Sequence, residues 1–266
     1  MKIATLNINS VNARLDNLCR WLRENKPDMM LLQEIKAEFH NFPFFELQTI
    51  GYQSKILGQK SYNGVAVLSA HKILRVQENL PNFHDENARY LECDIDLNGL
   101  ITTVASIYLP NGNPPYNNLA DTSKFAYKLA WMDAFLQHAE NLRMADKKTI
   151  LAGDFNVILT PQDVFNPELF AGNALYRPEV IERINFLSRS GYTDVYRALF
   201  AHESGYTFWD YTNASYQNDL GMRIDYIFAA PYFADRLFSC TVDRAFRGWE
   251  KASDHTILIA EFKDIV

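Results

Sequence analysis

The sequence predicts an α/β protein in which two β-sheets pack face to face and carry helices on their outer surfaces. Three observations lead there. Short apolar runs of strand length recur along the whole chain, only three longer stretches repeat apolar residues at helical spacing, and no Gly/Ser linker or charged run divides the 266 residues. With 48% hydrophobic residues the chain can bury a large core, and a single domain over residues 1–266 is the expectation.

Taken in order, residues 2–8 form a strand, residues 12–25 a helix with Leu15, Leu18 and Leu22 on one face, and residues 28–33 a buried strand. Further strands are expected at 65–68, 91–97, 101–109, 149–152, 224–228 and 257–262. Residues 124–142 make a second helix with Phe125, Leu129, Met132 and Leu136 on one stripe, and residues 178–189 a third, opened by Pro178. These stripes are core rather than cofactor boxes. The loops at 110–118 and 160–175, rich in Pro, Asn and Gly, are long enough to carry function.

The N-terminus offers no export signal, and no apolar run is long enough to span a bilayer, so a cytoplasmic protein without membrane association is expected. Cys19, Cys93 and Cys240 are scattered and odd in number, lack metal-ligand spacing, and read as packing residues in a reducing compartment. A formal net charge of −6 speaks against a nonspecific nucleic-acid coat. The objection weakens if some of the acids hold a divalent cation, which would invert the local field where a phosphate must sit.

The informative pattern is where the apolar strands stop. Residues 3–6 run into Asn7 and Asn9, 29–32 into Gln33 and Glu34, 101–107 into Tyr108 and Asn111, and 149–152 into Asp154 and Asn156. Two others reverse the order, with Arg223 and Asp225 ahead of 226–228, and Asp254 and His255 ahead of 256–259. If these two run antiparallel to the first four, all six sets meet at one edge, where sites in open sheets tend to form. Oxygen donors without cysteine suit Mg²⁺, or Mn²⁺ in its place, and with His and Asp they are the equipment of phosphate-ester hydrolysis. Each piece alone has a bland reading: Asp154 as a turn residue, Glu34 as a solvated strand end, His255 as a structural histidine. Their joint occurrence carries the specificity. The sequence has no phosphate-binding Gly-rich loop ending in Lys-Ser/Thr, no His-Glu-x-x-His and no Gly-x-Ser-x-Gly.

Eight blocks in order, at 6–9, 32–36, 63–66, 108–112, 153–156, 206–211, 223–226 and 253–255, resemble exonuclease III and its abasic-endonuclease relatives over essentially the whole chain. The resemblance implies a four-layer α/β sandwich, two packed mixed β-sheets flanked by helices, of the deoxyribonuclease I-like type. It implies a Mg²⁺-dependent monomer acting on duplex DNA at abasic sites or 3′ ends. It also implies roles for single residues. Glu34 would be the principal metal ligand, with Asn7 and Asp254 near it, and Asp154 and Asn156 would be candidates for a second ion. Asp154 would activate water or protonate the leaving oxygen. Asn156 and His255 would bond the phosphate, Asp225 would orient His255, and Tyr108 would contact the scissile phosphate. Phe208 and Met222 would wall the sugar pocket, and Arg89, Asn111 and Lys124 would contact phosphates. In residues 175–177 an apolar side chain would enter the DNA groove, with Tyr176 and Arg177 beside it. One departure is visible: Ser10 stands where relatives usually carry Gly, which demands ordinary backbone geometry or tolerated strain. Two rival readings remain at this stage, a phosphoesterase of the same fold acting on inositol phosphates or phospholipid head groups, and a catalytically dead DNA-binding protein.

Overall fold

The computed structural model describes residues 1–114 and 118–265, so residues 115–117 of the expected 110–118 loop lie outside the described residues. Its strands are β1 (Lys2–Asn7), β2 (Met29–Gln33), β3 (Gln53–Leu57), β4 (Val65–Ser69), β5 (Lys72–Glu78), β6 (Tyr90–Leu97), β7 (Leu100–Tyr108), β8 (Thr149–Asp154), β9 (Thr193–Asp194), β10 (Asp225–Ala229), β11 (Leu237–Asp243) and β12 (Ile257–Phe262). The helices are α1 (Leu15–Asn25), α2 (Phe44–Thr49), α3 (Ser123–Met144), α4 (Pro178–Arg189), α5 (Val195–Leu199), α6 (Pro231–Ala234) and α7 (Arg244–Arg247). None of them is long and apolar enough to cross a membrane.

Two six-stranded mixed sheets form, in the orders β11-β12-β1-β2-β4-β3 and β5-β6-β7-β8-β10-β9. Their central strands are buried on both faces, which is why they read as unbroken apolar runs rather than alternating ones. In β2, Met29 and Leu31 face inward with Val104 and Ile150 of the other sheet, while Met30 and Leu32 face outward with Leu18, Trp21 and Leu22 of α1. On the far side, Ala105, Ile107, Leu151 and Phe228 pack against Trp131, Met132 and Phe135 of α3 and Ile184 of α4. The result is the expected sequence of layers, helix, sheet, sheet, helix.

Strands β3, β5, β9 and β11 were not expected from the sequence. All four are sheet edges with largely half-exposed or exposed residues, so no apolar run marks them. The expected helix at 12–25 begins with a 3₁₀ turn at Asn12–Arg14 and ends where Lys26 turns left-handed, at φ 47°, before Pro27. The stripe of α3 also needs correction. Phe125 and Leu129 are only partly buried, and the buried face is Lys128, Trp131, Met132, Phe135, Leu136, Ala139 and Leu142. Trp131 and Phe135 each lie one position before Met132 and Leu136, which turns the buried face off the expected stripe.

Candidate active site

Topology brings the polar ends together. β1 and β2 run parallel, as do β7 and β8, whereas β12 is antiparallel to β1 and β10 antiparallel to β8. The C-terminal ends of four strands and the N-terminal ends of two therefore share one edge of the sandwich. Register sets the finer placement: Asn7 lies opposite Gln33, and Asp154 lies between Tyr108 and Asp225. Gly153 makes the β7–β8 approach possible, since a Cβ there would stand 2.0 Å from the Ile107 carbonyl oxygen.

Glu34 follows β2 in a left-handed conformation (φ 47°), which turns its carboxylate into the cleft. Its Oε1 accepts from Asn7 Nδ2 at 2.9 Å and from the Tyr108 hydroxyl at 2.8 Å, and Oε2 pairs with Lys36 Nζ at 2.9 Å. Burial alone would raise the Glu34 carboxyl, but the bonds from Asn7, Lys36 and Tyr108 hold it below its ordinary value. Asn7 Nδ2 donates also to Asp154 Oδ2 at 3.0 Å, so one amide spans the two sheets. Beneath it Gln33 Nε2 donates to Thr5 Oγ1 (3.1 Å) and to Ser106 Oγ (3.0 Å), a second buried polar link between the sheets.

Asp154 is 2% exposed, accepts the Asn156 N–H at 2.9 Å on Oδ1, and stands 3.8 Å from His255 Nε2 through Oδ2. His255 is fixed from behind: Nδ1 meets Asp225 Oδ2 at 2.8 Å, and Thr207 Oγ1 donates to that same oxygen at 2.6 Å. Burial raises the Asp154 carboxyl, against the pull of His255, and the negative charge of Asp225 adds to the rise. Burial depresses the His255 imidazolium, but Asp225, by charge and hydrogen bond, outweighs it and holds the ring charged above its ordinary range. The resulting order is carboxylate, imidazole, carboxyl, with Nε2 facing the cleft.

Asn156 is left-handed (φ 48°); its Oδ1 accepts from Asn111 Nδ2 at 3.1 Å and its Nδ2 donates to the Leu109 carbonyl at 3.0 Å. Arg89 lies over the Tyr108 ring, 4.7 Å from its centroid, and lines one hollow with Asn111 and Lys124. On the opposite flank Phe208 meets the His255 ring edge-on at 4.9 Å, and Met222 bridges to both Phe208 and Val164. Asp254 Oδ1 accepts from Asn9 Nδ2 at 3.1 Å. Every expected catalytic and metal residue thus lies along this one edge.

In the 175–177 segment the expectation of an inserted apolar side chain fails. Leu175 is 4% exposed and belongs to the apolar wall with Ile158, Val164 and Ile224, so it has no free side chain to insert; Tyr176 packs against the same wall. Arg177 is bonded to Glu179 at 2.5 Å and stacked on Phe125. Ser10 resolves its own question by tolerating strain: its φ is 87°, and its N–H is anchored on the Glu34 carbonyl at 2.8 Å.

Four residues went unassigned in the sequence. Thr207 and Lys36 sat inside recognised blocks with nothing to mark their partners, and Gln33 adjoined Glu34. Lys128 carried the clearest signal, a lysine spaced three, four and seven residues before Trp131, Met132 and Phe135 on a buried helix face. Its Nζ donates to the carbonyls of Asn111 (3.0 Å), Asn156 (2.7 Å) and Ala174 (3.1 Å). Burial pushes this amine down to about 7, partly offset by the charge of Asp154.

Among the described residues no three His, Cys, Asp or Glu side chains form a ready cage. Mg²⁺ does not need one, because it keeps several waters and binds through one or two carboxylates plus a substrate phosphate. Glu34, with Asn7 and Asp154 around it, fits that mode.

The endonuclease/exonuclease/phosphatase family model matches residues 4–255. The chain is 27% identical to exodeoxyribonuclease III of Haemophilus influenzae over 271 aligned positions, covering 99% of this chain and 100% of that one. Among solved structures, an AP endonuclease from Archaeoglobus fulgidus superposes with a TM-score of 0.91 at 32% identity, covering 99% of both chains. A 3′ phosphatase from Neisseria, bound to a product DNA hairpin, gives 0.92 at 33% identity, again over 99% of both chains.

Proposed function

Because this chain belongs to the endonuclease/exonuclease/phosphatase family, we propose that it is a Mg²⁺-dependent DNA repair nuclease that hydrolyses phosphodiester bonds of duplex DNA at abasic sites and removes nucleotides or phosphate from 3′ ends. The single observation that carries the reading is the convergence of Glu34, Asp154, Asp225 and His255 at one sheet edge, with Nε2 of His255 3.8 Å from Asp154. The relatives named above act, by their names, at DNA ends or abasic sites.

When bound at Glu34 and Asn7, the ion supplies Lewis-acid polarisation of a phosphoryl oxygen. Asp154, its carboxyl raised by burial, exchanges a proton with the attacking water or the leaving oxygen. His255, kept charged by Asp225, donates from Nε2 to a non-bridging oxygen as charge builds there, Asn156 offers a further donor, and Tyr108 can donate to the phosphate only by turning its hydroxyl from Glu34. Asp254 braces the loop of Asn9 and would lie near the ion. Arg89, Asn111 and Lys124 take phosphates on one flank, and Phe208 and Met222 hold the deoxyribose on the other. Tyr176 borders the sugar wall, and Arg177 reaches DNA only after leaving Glu179.

The test is a side-by-side assay of duplexes carrying an abasic analogue, a recessed 3′ end or a 3′ phosphate, with and without chelator. Chelator-sensitive cleavage of at least one is expected. Turnover of an inositol phosphate or phospholipid head group with every duplex intact would replace the proposal with the phosphoesterase reading, and DNA binding without cleavage in Mg²⁺ or Mn²⁺ would replace it with an inactive binder.

A further inference from the structure

Lys128 is fully buried in α3 with no carboxylate bonded to its ammonium. A buried charge of this kind is costly, and an apolar side chain would fill the same volume without that cost. What only the ammonium provides is three donors, and each is used on a backbone carbonyl from a different segment: Asn111 after β7, Asn156 after β8, and Ala174 ahead of α4. Those segments carry Asn111, Asn156 and the Leu175 wall. The seat is built to admit the lysine, because Gly112 (φ 85°) passes so close that a Cβ would lie 2.6 Å from Lys128 Cδ.

We propose that Lys128 is a positioning residue whose ammonium clasps these three segments and thereby sets where Asn156 and Asn111 present their amides to a substrate phosphate. The left-handed backbone of Asn156 turns its carbonyl toward Nζ, and its side chain is then tied to Asn111 and Leu109. Removing the donors leaves the buried carbonyls of Asn156 and Ala174 and the part-buried carbonyl of Asn111 without this partner, and the segments move apart to hydrate them. The catalytic consequence rests on the nuclease reading; the clasp itself does not.

The experiment compares the full chain with Lys128→Met, which keeps the stem and drops the donors, and Lys128→Arg, which restores a cation and donors. In the metal-free proteins, amide hydrogen exchange in Lys128→Met is expected to quicken at least about tenfold together in residues 109–113, 155–158 and 173–176, while β1 and β12 stay protected. Single-turnover cleavage of an abasic duplex is expected to fall about 100-fold, with duplex affinity in chelator changed less than about threefold, and Lys128→Arg should recover part of the rate. An unchanged cleavage step, or faster exchange in one segment only or throughout the fold, overturns the proposal. If Lys128→Met does not fold, Lys128→Gln must show the same pattern at smaller amplitude; if no variant folds, Lys128 is a stability residue and the proposal fails. A parent chain that cuts no duplex sinks the nuclease reading instead, and the exchange pattern alone then decides the clasp.

Discussion

Asp154 and His255 share their surroundings: burial raises the Asp154 carboxyl against the pull of His255, while Asp225 holds the His255 ring above its ordinary range. Asp154→Ala is expected to lower the single-turnover rate by roughly two to four orders of magnitude at saturating metal, as for a lost proton-transfer group; a rate near that of the parent would remove Asp154 from the mechanism. Asp225→Asn leaves a similar shape but takes away the charge that holds His255, and loses rate through the imidazole alone. Because both substitutions act through one constellation, the double variant should lose far less than the product of the two single losses. Kinetics of the four proteins on one abasic duplex measure this, and simple multiplication of the losses would show that the groups act independently. The gathering of these residues was legible because each ends or begins an apolar run, whereas the roles proposed for them came from the family resemblance. The partners that tune them, Thr207 on Asp225 and Lys36 on Glu34, were not, since a hydrogen bond between distant segments leaves no trace in local pattern.

At the scale of elements, what sequence reveals is burial. Strands β1, β2, β4, β7, β8, β10 and β12 are apolar because they are covered on both faces, whereas β3, β5 and β11 are edges whose polar residues look like loop. Two element contacts yield tests. In β8, Gly153 allows the strand to lie against β7, and Gly153→Ala is expected to cost roughly 3 kcal/mol of unfolding free energy in urea, as overpacking against fixed backbone does; an unchanged midpoint would mean the strands can separate freely. Further out, Glu92 of β6 is fully buried, paired with Arg75 of β5 and bonded by Tyr90 and by His138 of α3, both at 2.7 Å. Burial would raise the Glu92 carboxyl, but these partners hold it below its ordinary value. Its contribution to stability is therefore complete above the unfolded value of about 4.3 and is lost as pH falls through the lower folded value. Glu92→Gln, though less stable near neutral pH, should lose less stability than the parent between about pH 4.3 and the acid end of that window. Equal losses in urea titrations across the window would show that Glu92 does not link the sheet to α3 through its charge.

For the molecule as a whole, the convergence of six strand ends was legible from where apolar runs met polar residues, given one assumption about direction that the antiparallel pairings of β10 and β12 satisfy. The walls of the cleft were less so, because side chains such as Leu175 and Arg177 take their direction from packing that no local pattern records. The net charge of −6 poses the remaining physical problem, since the summed field repels a polyanion. Attraction must then come from a few local cations, and Arg89 and Lys124, on the same side of the cleft, are the proposed pair. With few phosphates neutralised, duplex affinity in chelator should fall with added salt along a shallow straight line in log–log form. Arg89→Met and Lys124→Met should each flatten that slope by about one unit, and together by about two, with equal effect on abasic and intact duplexes. Phe208→Ala, which removes an apolar wall and no charge, should leave the slope alone and weaken only the abasic complex. Slopes that do not change in either cationic variant would place the DNA backbone elsewhere on the surface, and a Phe208→Ala defect shared by intact duplex would mean that the wall supports the protein rather than the sugar.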